Sequence, residues 1–134
     1  MKKILLDTNA YSNYLRGNEK VLDALSKADI VYASIFVLGE LYSGFKGGAK
    51  ELWNKDILRS FLEKPTVSVV DTSIETSEIF ADIKHSLIKT GNPIPINDVW
   101  IAAHAFETGS VLITFDDHFS KIPGLRLWDY VGEQ

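Results

Sequence analysis

Residues 3 to 9 of the chain read KILLDTN, an apolar run from Ile4 to Leu6 that stops at the carboxylate of Asp7. A short, uninterrupted apolar run closed by turn-forming polar residues predicts a buried strand. Comparable short runs occur at Ile30–Ala33, at Val67–Val70 and at Val111–Thr114. Arg126–Trp128 is predicted as a fifth strand.

Longer stretches with apolar residues at helical spacing separate these runs. They predict helices over residues 10–15, 19–28, 35–45, 50–62, 73–89 and 97–108. Ser34 is placed to cap the third of these helices, and Gly109 to end the last. Because strands that alternate with helices pair in parallel through crossover helices, the predicted fold class is α/β. We expect one domain over residues 1–134, with three α/β/α layers and a short, mainly parallel five-stranded sheet.

The composition is that of a globular domain, with 134 residues, 46% hydrophobic and 24% charged. A formal charge of −4 argues against a general nucleic-acid coat, although four acids gathered around cations would leave 14 charges of each sign. The chain has no cysteine, which excludes disulfides and thiolate zinc sites and fits a reducing cytoplasm. Only Ile4–Leu6 follow Met1-Lys2-Lys3 before Asp7 interrupts, so we expect neither secretion nor membrane insertion but a cytoplasmic protein.

Four acids that are far apart in the chain are predicted to meet at one edge of the sheet. Ligands bind at the carboxyl ends of parallel strands, and Asp7 follows the first strand while Asp116 lies just past the fourth. Asp98 begins the helix that leads into the fourth strand, and Glu40 lies in the early turns of the helix that leaves the second. The topology therefore brings all four to the same edge.

Each acid also has a purely structural interpretation. Asp7 could cap the first helix, Asp98 could complement a helix dipole, and Asp116 could be a turn residue. Glu40 is harder to explain in this way, because its neighbours at helical spacing include Phe36 and are not charged. We therefore expect Glu40 to be partly buried and to need a partner.

The four acids together point more strongly to cations than each does alone. Two carboxylates about 4 Å apart repel by roughly 1 kcal/mol in water, and by about 4 kcal/mol at an effective dielectric of 20. A cluster of oxygen ligands suits hard cations such as Mg²⁺ or Mn²⁺. Such ions activate water and stabilise the leaving oxygen in phosphodiester hydrolysis.

Four sequence segments, in order, resemble the motifs of the PIN-domain ribonucleases, and specifically those of the VapC-type toxins of prokaryotic toxin–antitoxin pairs. The segments are residues 6–9 (LDTN), 34–41 (SIFVLGEL), 97–103 (NDVWIAA) and 114–119 (TFDDHF), the last followed by IPGL at 122–125. The resemblance extends from Leu5 to Leu127. Any one segment alone would be weak, but their order makes the resemblance specific.

The resemblance implies a PIN-like fold and a Mg²⁺- or Mn²⁺-dependent endoribonuclease that cuts structured RNA, such as transfer or ribosomal RNA. It also implies a cognate antitoxin protein as partner and a homodimer. The implied catalytic and metal-binding residues are Asp7, Glu40, Asp98 and Asp116. The implied supporting residues are Asn9 and Thr114, with Asp117 as an alternative carboxylate beside Asp116.

Two other functions remain open from the residues alone. A phosphatase of the haloacid-dehalogenase type also begins with an aspartate at a strand end, but Asn9 stands where that chemistry needs a second aspartate. A catalytically silent binding module on the same fold would not depend on cations. Two histidines lie near the predicted site, and we interpret His104 as a packing or capping residue, whereas His118 could touch substrate.

Overall fold

The structure, a computed structural model, describes residues 2–132 and has a parallel sheet at its centre. Four strands, in the order β3-β2-β1-β4, form this sheet, and all neighbours pair in parallel. The strands are β1 (Lys3–Leu6), β2 (Ile30–Ser34), β3 (Val67–Val70) and β4 (Val111–Ile113). β1 is thus a central strand, and Ile4, Leu5 and Leu6 are at most 3% exposed, as expected of the opening apolar run.

Six helices connect the strands of the described region. They are α1 (Thr8–Leu15), α2 (Glu19–Lys27), α3 (Ile35–Phe45), α4 (Glu51–Leu62), α5 (Ile74–Thr90) and α6 (Ile96–Thr108). Right-handed crossovers in this strand order place α1 to α4 on one face and α5 and α6 on the other. Consistent with this, α4 packs on β3, whereas α6 packs on β1 and β4. The predicted α/β class, three layers and parallel sheet are confirmed.

Local signals account for most of the helix boundaries. The side chain of Ser34 accepts a hydrogen bond from the Phe36 amide at the start of α3, as predicted. Gly109 ends α6 in the left-handed conformation, with φ of 67°. None of the helices within residues 2–132 combines the length and apolar composition that a bilayer crossing requires.

The prediction of a fifth strand at Arg126–Trp128 is wrong. Leu127 forms one isolated parallel bridge with Leu112, supported by the bonds from Leu112 N to Arg126 O (2.8 Å) and from Trp128 N to Leu112 O (3.3 Å). The bridge goes no further because β4 itself has only three residues, and the chain enters turns directly after Trp128. The segment extends the sheet edge locally without forming a strand.

Two glycines allow a matched test of these backbone requirements. A Cβ at either Gly109 or Gly39 would have no heavy atom within 4 Å, but only Gly109 has a positive φ. Gly109→Ala should therefore destabilise the protein by about 1 kcal/mol through backbone strain alone. Gly39→Ala, in the interior of α3, should stabilise it by about 0.5–1 kcal/mol. Urea unfolding of the two variants beside the wild type measures both, and effects of the same sign would contradict the role assigned to the positive φ of Gly109.

Candidate functional site

Asp7 is the most buried acid of the predicted site. It follows β1 directly, is 4% exposed, and caps α1 by accepting a hydrogen bond from the Ala10 amide to Oδ1 at 2.8 Å. Its other oxygen accepts a hydrogen bond from the Thr114 hydroxyl at 2.5 Å. Asp7 can therefore serve both as the N-cap of α1 and as an acid of the predicted cation site.

Burial raises the pKa of Asp7 from 3.8 to about 6, because the charged form loses its water. The hydrogen bonds from Thr114 and Ala10 oppose this rise, and the negative charges of Asp116 and Asp98 add to it. Three of the predicted acids are thus close enough to influence one another.

Asp98 lies in the first turn of α6 and meets His118 across the edge of the sheet. Its Oδ2 is 2.8 Å from His118 Nε2, although the ring nitrogen has no well-aligned hydrogen bond. Desolvation raises the pKa of Asp98, His118 lowers it, and the charges of Glu40 and Asp116 raise it further. His118 Nδ1 also lies 3.7 Å from Asp116 Oδ1, so the imidazole stands between two of the acids.

Glu40 differs from the sequence prediction in one respect. It is exposed, not partly buried, because Gly39, Ser43 and Gly44 beside it are too small to cover it. It nevertheless has a partner, since the Thr8 hydroxyl donates a hydrogen bond to its Oε1. Thr8 immediately follows Asp7, so this bond ties α3 to the end of β1.

The electrostatic couplings join all four predicted acids at the carboxyl edge of the sheet. Of the supporting residues, Thr114 contacts the site most directly, because its hydroxyl binds Asp7 and accepts from the Asp116 amide at 3.0 Å. Asn9 and Asp117 are both exposed, and their predicted supporting roles stay predictions.

Trp128 contributes to the site, although its sequence context indicates only a strand. Its indole N–H donates to the Thr114 carbonyl at 2.5 Å, and the side chain is 6% exposed. The Gly132 amide donates to Phe115 O at 2.8 Å, so the segment around Trp128 fixes the backbone that carries Thr114. A tryptophan some 14 residues after a strand carries no sequence signal for this role.

The side chains fit a hard divalent cation in chemistry, since the donors are carboxylate oxygens whose mutual repulsion a cation would relieve. These side chains are not, however, arranged as a complete coordination shell. Within residues 2–132, no group of three or more His, Asp or Glu side chains is arranged to hold a metal ion. Thr114, Thr8 and His118 instead engage Asp7, Glu40 and Asp98, respectively.

Comparison with known proteins identifies the family to which this geometry belongs. The PIN domain family profile matches residues 4–125. The chain belongs to the PIN domain family. Among curated relatives, Ribonuclease VapC2 of Rickettsia felis is 30% identical, over 93% of this chain and 97% of its own length. The tRNA(fMet)-specific endonuclease VapC of Salmonella typhimurium is 29% identical, over 97% of this chain and 99% of its own length.

Chains in solved structures resemble this chain over nearly their whole length. The VapBC2 complex of Rickettsia felis, bound to a DNA fragment from its promoter, contains a chain with a TM-score of 0.83 and 25% identity, covering 94% of this chain and 97% of that one. A chain of the DNA-bound VapBC complex of Salmonella typhimurium has a TM-score of 0.82 and 26% identity, covering 97% of this chain and 99% of that one.

The raised pKa of Asp7 predicts a pH-dependent cost of keeping this carboxylate buried. The folded state holds the proton up to about pH 6 and the unfolded state only to about pH 4, so stability falls as the pH rises through this interval. At pH 7.5 in chelator, Asp7→Asn should raise the free energy of unfolding by about 1–3 kcal/mol, and the gain should vanish near pH 4. Urea melts at several pH values measure this difference.

Asp23→Asn is the matched control, because Asp23 is exposed and its carboxylate pairs with Lys27 on the same helix, α2. Its stability should stay within about 0.5 kcal/mol of the wild type. A metal-free Asp7→Asn protein that is less stable than wild type at pH 7.5 would mean that the negative charge stabilises the fold as a cap.

Proposed function

We propose that this PIN-domain protein is a Mg²⁺- or Mn²⁺-dependent endoribonuclease, the toxin of a toxin–antitoxin pair. One observation carries the proposal: four acids from distant parts of the chain interact electrostatically at the carboxyl edge of the sheet. Its kinship with VapC ribonucleases that are 29–30% identical over nearly the full chain supports the same activity. The cytoplasm is the proposed location.

Asp7, Glu40, Asp98 and Asp116 are the residues that would hold the cation. When bound, a divalent ion supplies the positive charge that activates water and stabilises the phosphate oxygens. The protein's own part is to orient the acids. Thr114 fixes one oxygen of Asp7, and Thr8 restrains Glu40 from the other side of the site.

An open groove beside Glu40 is the proposed path of the RNA strand. It has a volume of about 600 Å³ and is lined by Asn97 and by one face of α3, namely Ile35, Phe36, Gly39, Glu40, Ser43 and Gly44. Gly39, Ser43 and Gly44 line it near Glu40, and their small side chains leave room for a sugar–phosphate backbone.

Basic residues near the Gly47-Gly48 corner are engaged by acidic neighbours. Lys46 and Lys55 lie 3.8 and 3.1 Å from Glu51, and Arg59 pairs with Asp56. Since exposed ion pairs of this kind are weak, RNA could still recruit these side chains. They serve at most to steer the substrate toward the acids.

Replacement of one acid tests the nuclease proposal directly. Asp98→Asn keeps the shape of the side chain but removes a charged ligand, so RNA cleavage should fall by about 100-fold or more. Total RNA is incubated with Mg²⁺, Mn²⁺ or chelator, and the cut ends are mapped for the wild type, Asp98→Asn and the control Asp23→Asn. Only the wild type and the control should cut, and only with a cation.

The alternatives give different results in the same assay. A silent PIN-fold module would leave RNA intact in every condition. An aspartyl phosphatase would instead hydrolyse a small phosphomonoester and form an aspartyl-phosphate at Asp7. Either outcome would replace the ribonuclease proposal.

An antitoxin protein is the proposed partner, since the similar chains in the Rickettsia felis and Salmonella typhimurium structures belong to VapBC complexes. The start of α4 offers it an apolar surface. Leu52 and Trp53 are 77% and 66% exposed beside an open groove of about 520 Å³. A homodimer is proposed on the family resemblance alone.

Trp53→Ala should weaken antitoxin binding by about tenfold or more, because an exposed tryptophan beside a groove is a typical binding anchor. Its stability should change by less than about 0.5 kcal/mol. Ile74→Ala is the matched control, since Ile74 is 83% exposed at the start of α5, which lies on the opposite face of the sheet from α4. Calorimetric titration with the antitoxin and a urea melt measure both effects, and a comparable loss in both would count against a docking role.

A further inference from the structure

A buried polar pair links the two helices that carry Glu40 and Asp98. Ser34 and His104 are both 0% exposed, and Ser34 Oγ lies 2.7 Å from His104 Nδ1. The two residues are 70 positions apart in the chain. None of the functions proposed above uses this pair.

The hydroxyl of Ser34 has a second partner. Ser34 Oγ also accepts a hydrogen bond from the Phe36 amide at 3.2 Å, so one side chain binds both the start of α3 and the imidazole of α6. Burial lowers the pKa of His104, which favours the neutral ring. A neutral imidazole can bond to the hydroxyl through Nδ1 in either tautomer, because a hydroxyl can donate or accept.

Each member of the pair is six residues away from one of the acids. Ser34 is the N-cap of α3 and precedes Glu40 by six residues, while His104 follows Asp98 by six residues on α6. Phe36 of α3 also contacts α6, and its ring lies 5.3 Å, centroid to centroid, from that of His104. Asn97 Nδ2 donates to Phe36 O at 3.4 Å, and the rings of Phe36 and Trp100 stack with centroids 5.2 Å apart.

We propose that His104 is a positioning residue for the cation site: its hydrogen bond to Ser34 holds α3 against α6 and so sets the separation between Glu40 and Asp98. This role rests on the function proposed above. Stacked rings tolerate sliding, whereas a buried hydrogen bond fixes direction and distance. Residues that orient metal ligands without touching the metal commonly affect its affinity by about 10- to 100-fold.

Two substitutions at His104 separate the hydrogen bond from the bulk of the ring. His104→Asn keeps a hydrogen-bonding amide near the position of Nδ1, which can donate or accept, and His104→Leu has no such group. His104→Leu should bind Mn²⁺ about tenfold more weakly than wild type, and His104→Asn should recover most of that loss. Mn²⁺ affinity is measured by calorimetry on protein that circular dichroism shows to be folded, together with kcat and KM for RNA cleavage.

Two control variants account for lost stability. Val21→Ala removes a fully buried side chain on α2, on the opposite face of the sheet from α6. It should lower stability without changing the Mn²⁺ affinity. If His104→Leu fails to fold, Ser34→Ala breaks the same bond, and Asn18→Ala is its control because Asn18 caps α2 with no link to α6.

The outcomes distinguish this inference from the ribonuclease proposal. Unchanged Mn²⁺ affinity in His104→Leu or Ser34→Ala, or an equal loss in Val21→Ala or Asn18→Ala, would overturn the positioning role. A wild-type protein that binds Mn²⁺ without cutting RNA would overturn the ribonuclease activity alone. A wild-type protein that binds no Mn²⁺ would overturn both.

Discussion

A carboxylate buried at the end of a central strand constrains the architecture of this protein. Asp7 is 4% exposed, and desolvation alone makes its ionised form unfavourable. The fold partly offsets this with donors from two sides, the Ala10 amide of α1 and the Thr114 hydroxyl after β4. The positions of α1 and of the chain after β4 are therefore coupled to one side chain.

The other acids make the ionised form of Asp7 still less favourable. Asp98 and Asp116 add negative charge near Asp7, and Glu40 does so near Asp98. A fold selected for stability alone would place lysine or arginine here, but the residue that faces Asp98 and Asp116 is His118. Its two ring nitrogens lie 2.8 Å from Asp98 Oδ2 and 3.7 Å from Asp116 Oδ1, so one side chain reaches both carboxylates.

Much of this arrangement could be predicted from the sequence because it follows from topology. Once the apolar runs are recognised as parallel strands, Asp7 and Asp116 must share an edge, and the helix leading into β4 brings Asp98 to it. Contacts between side chains that are far apart in the chain leave no local pattern in the sequence. The bond between Thr8 and Glu40 and the meeting of Asp98 with His118 depend on how α1, α3 and the segment after β4 pack.

The predictions that Glu40 is partly buried and that Arg126–Trp128 is a strand are both wrong because each depends on what packs beside the segment. The helical neighbours of Glu40 predict partial burial, but exposure depends on the size of those neighbours and on what packs over them. Arg126–Trp128 has the composition of a strand, but pairing needs a partner of sufficient length, and β4 has three residues. The indole of Trp128 turns instead to the Thr114 carbonyl, a contact that no periodicity reveals.

The pairing of β1 with β4 has a consequence for the order in which the protein is made. During translation Asp7 leaves the ribosome more than 100 residues before Thr114, Asp116, His118 and Trp128. Until those residues emerge, the nascent chain lacks one of the four acids and one of the two donors that bind Asp7. The acidic edge is therefore completed only after β4 and the residues that follow it have been synthesised.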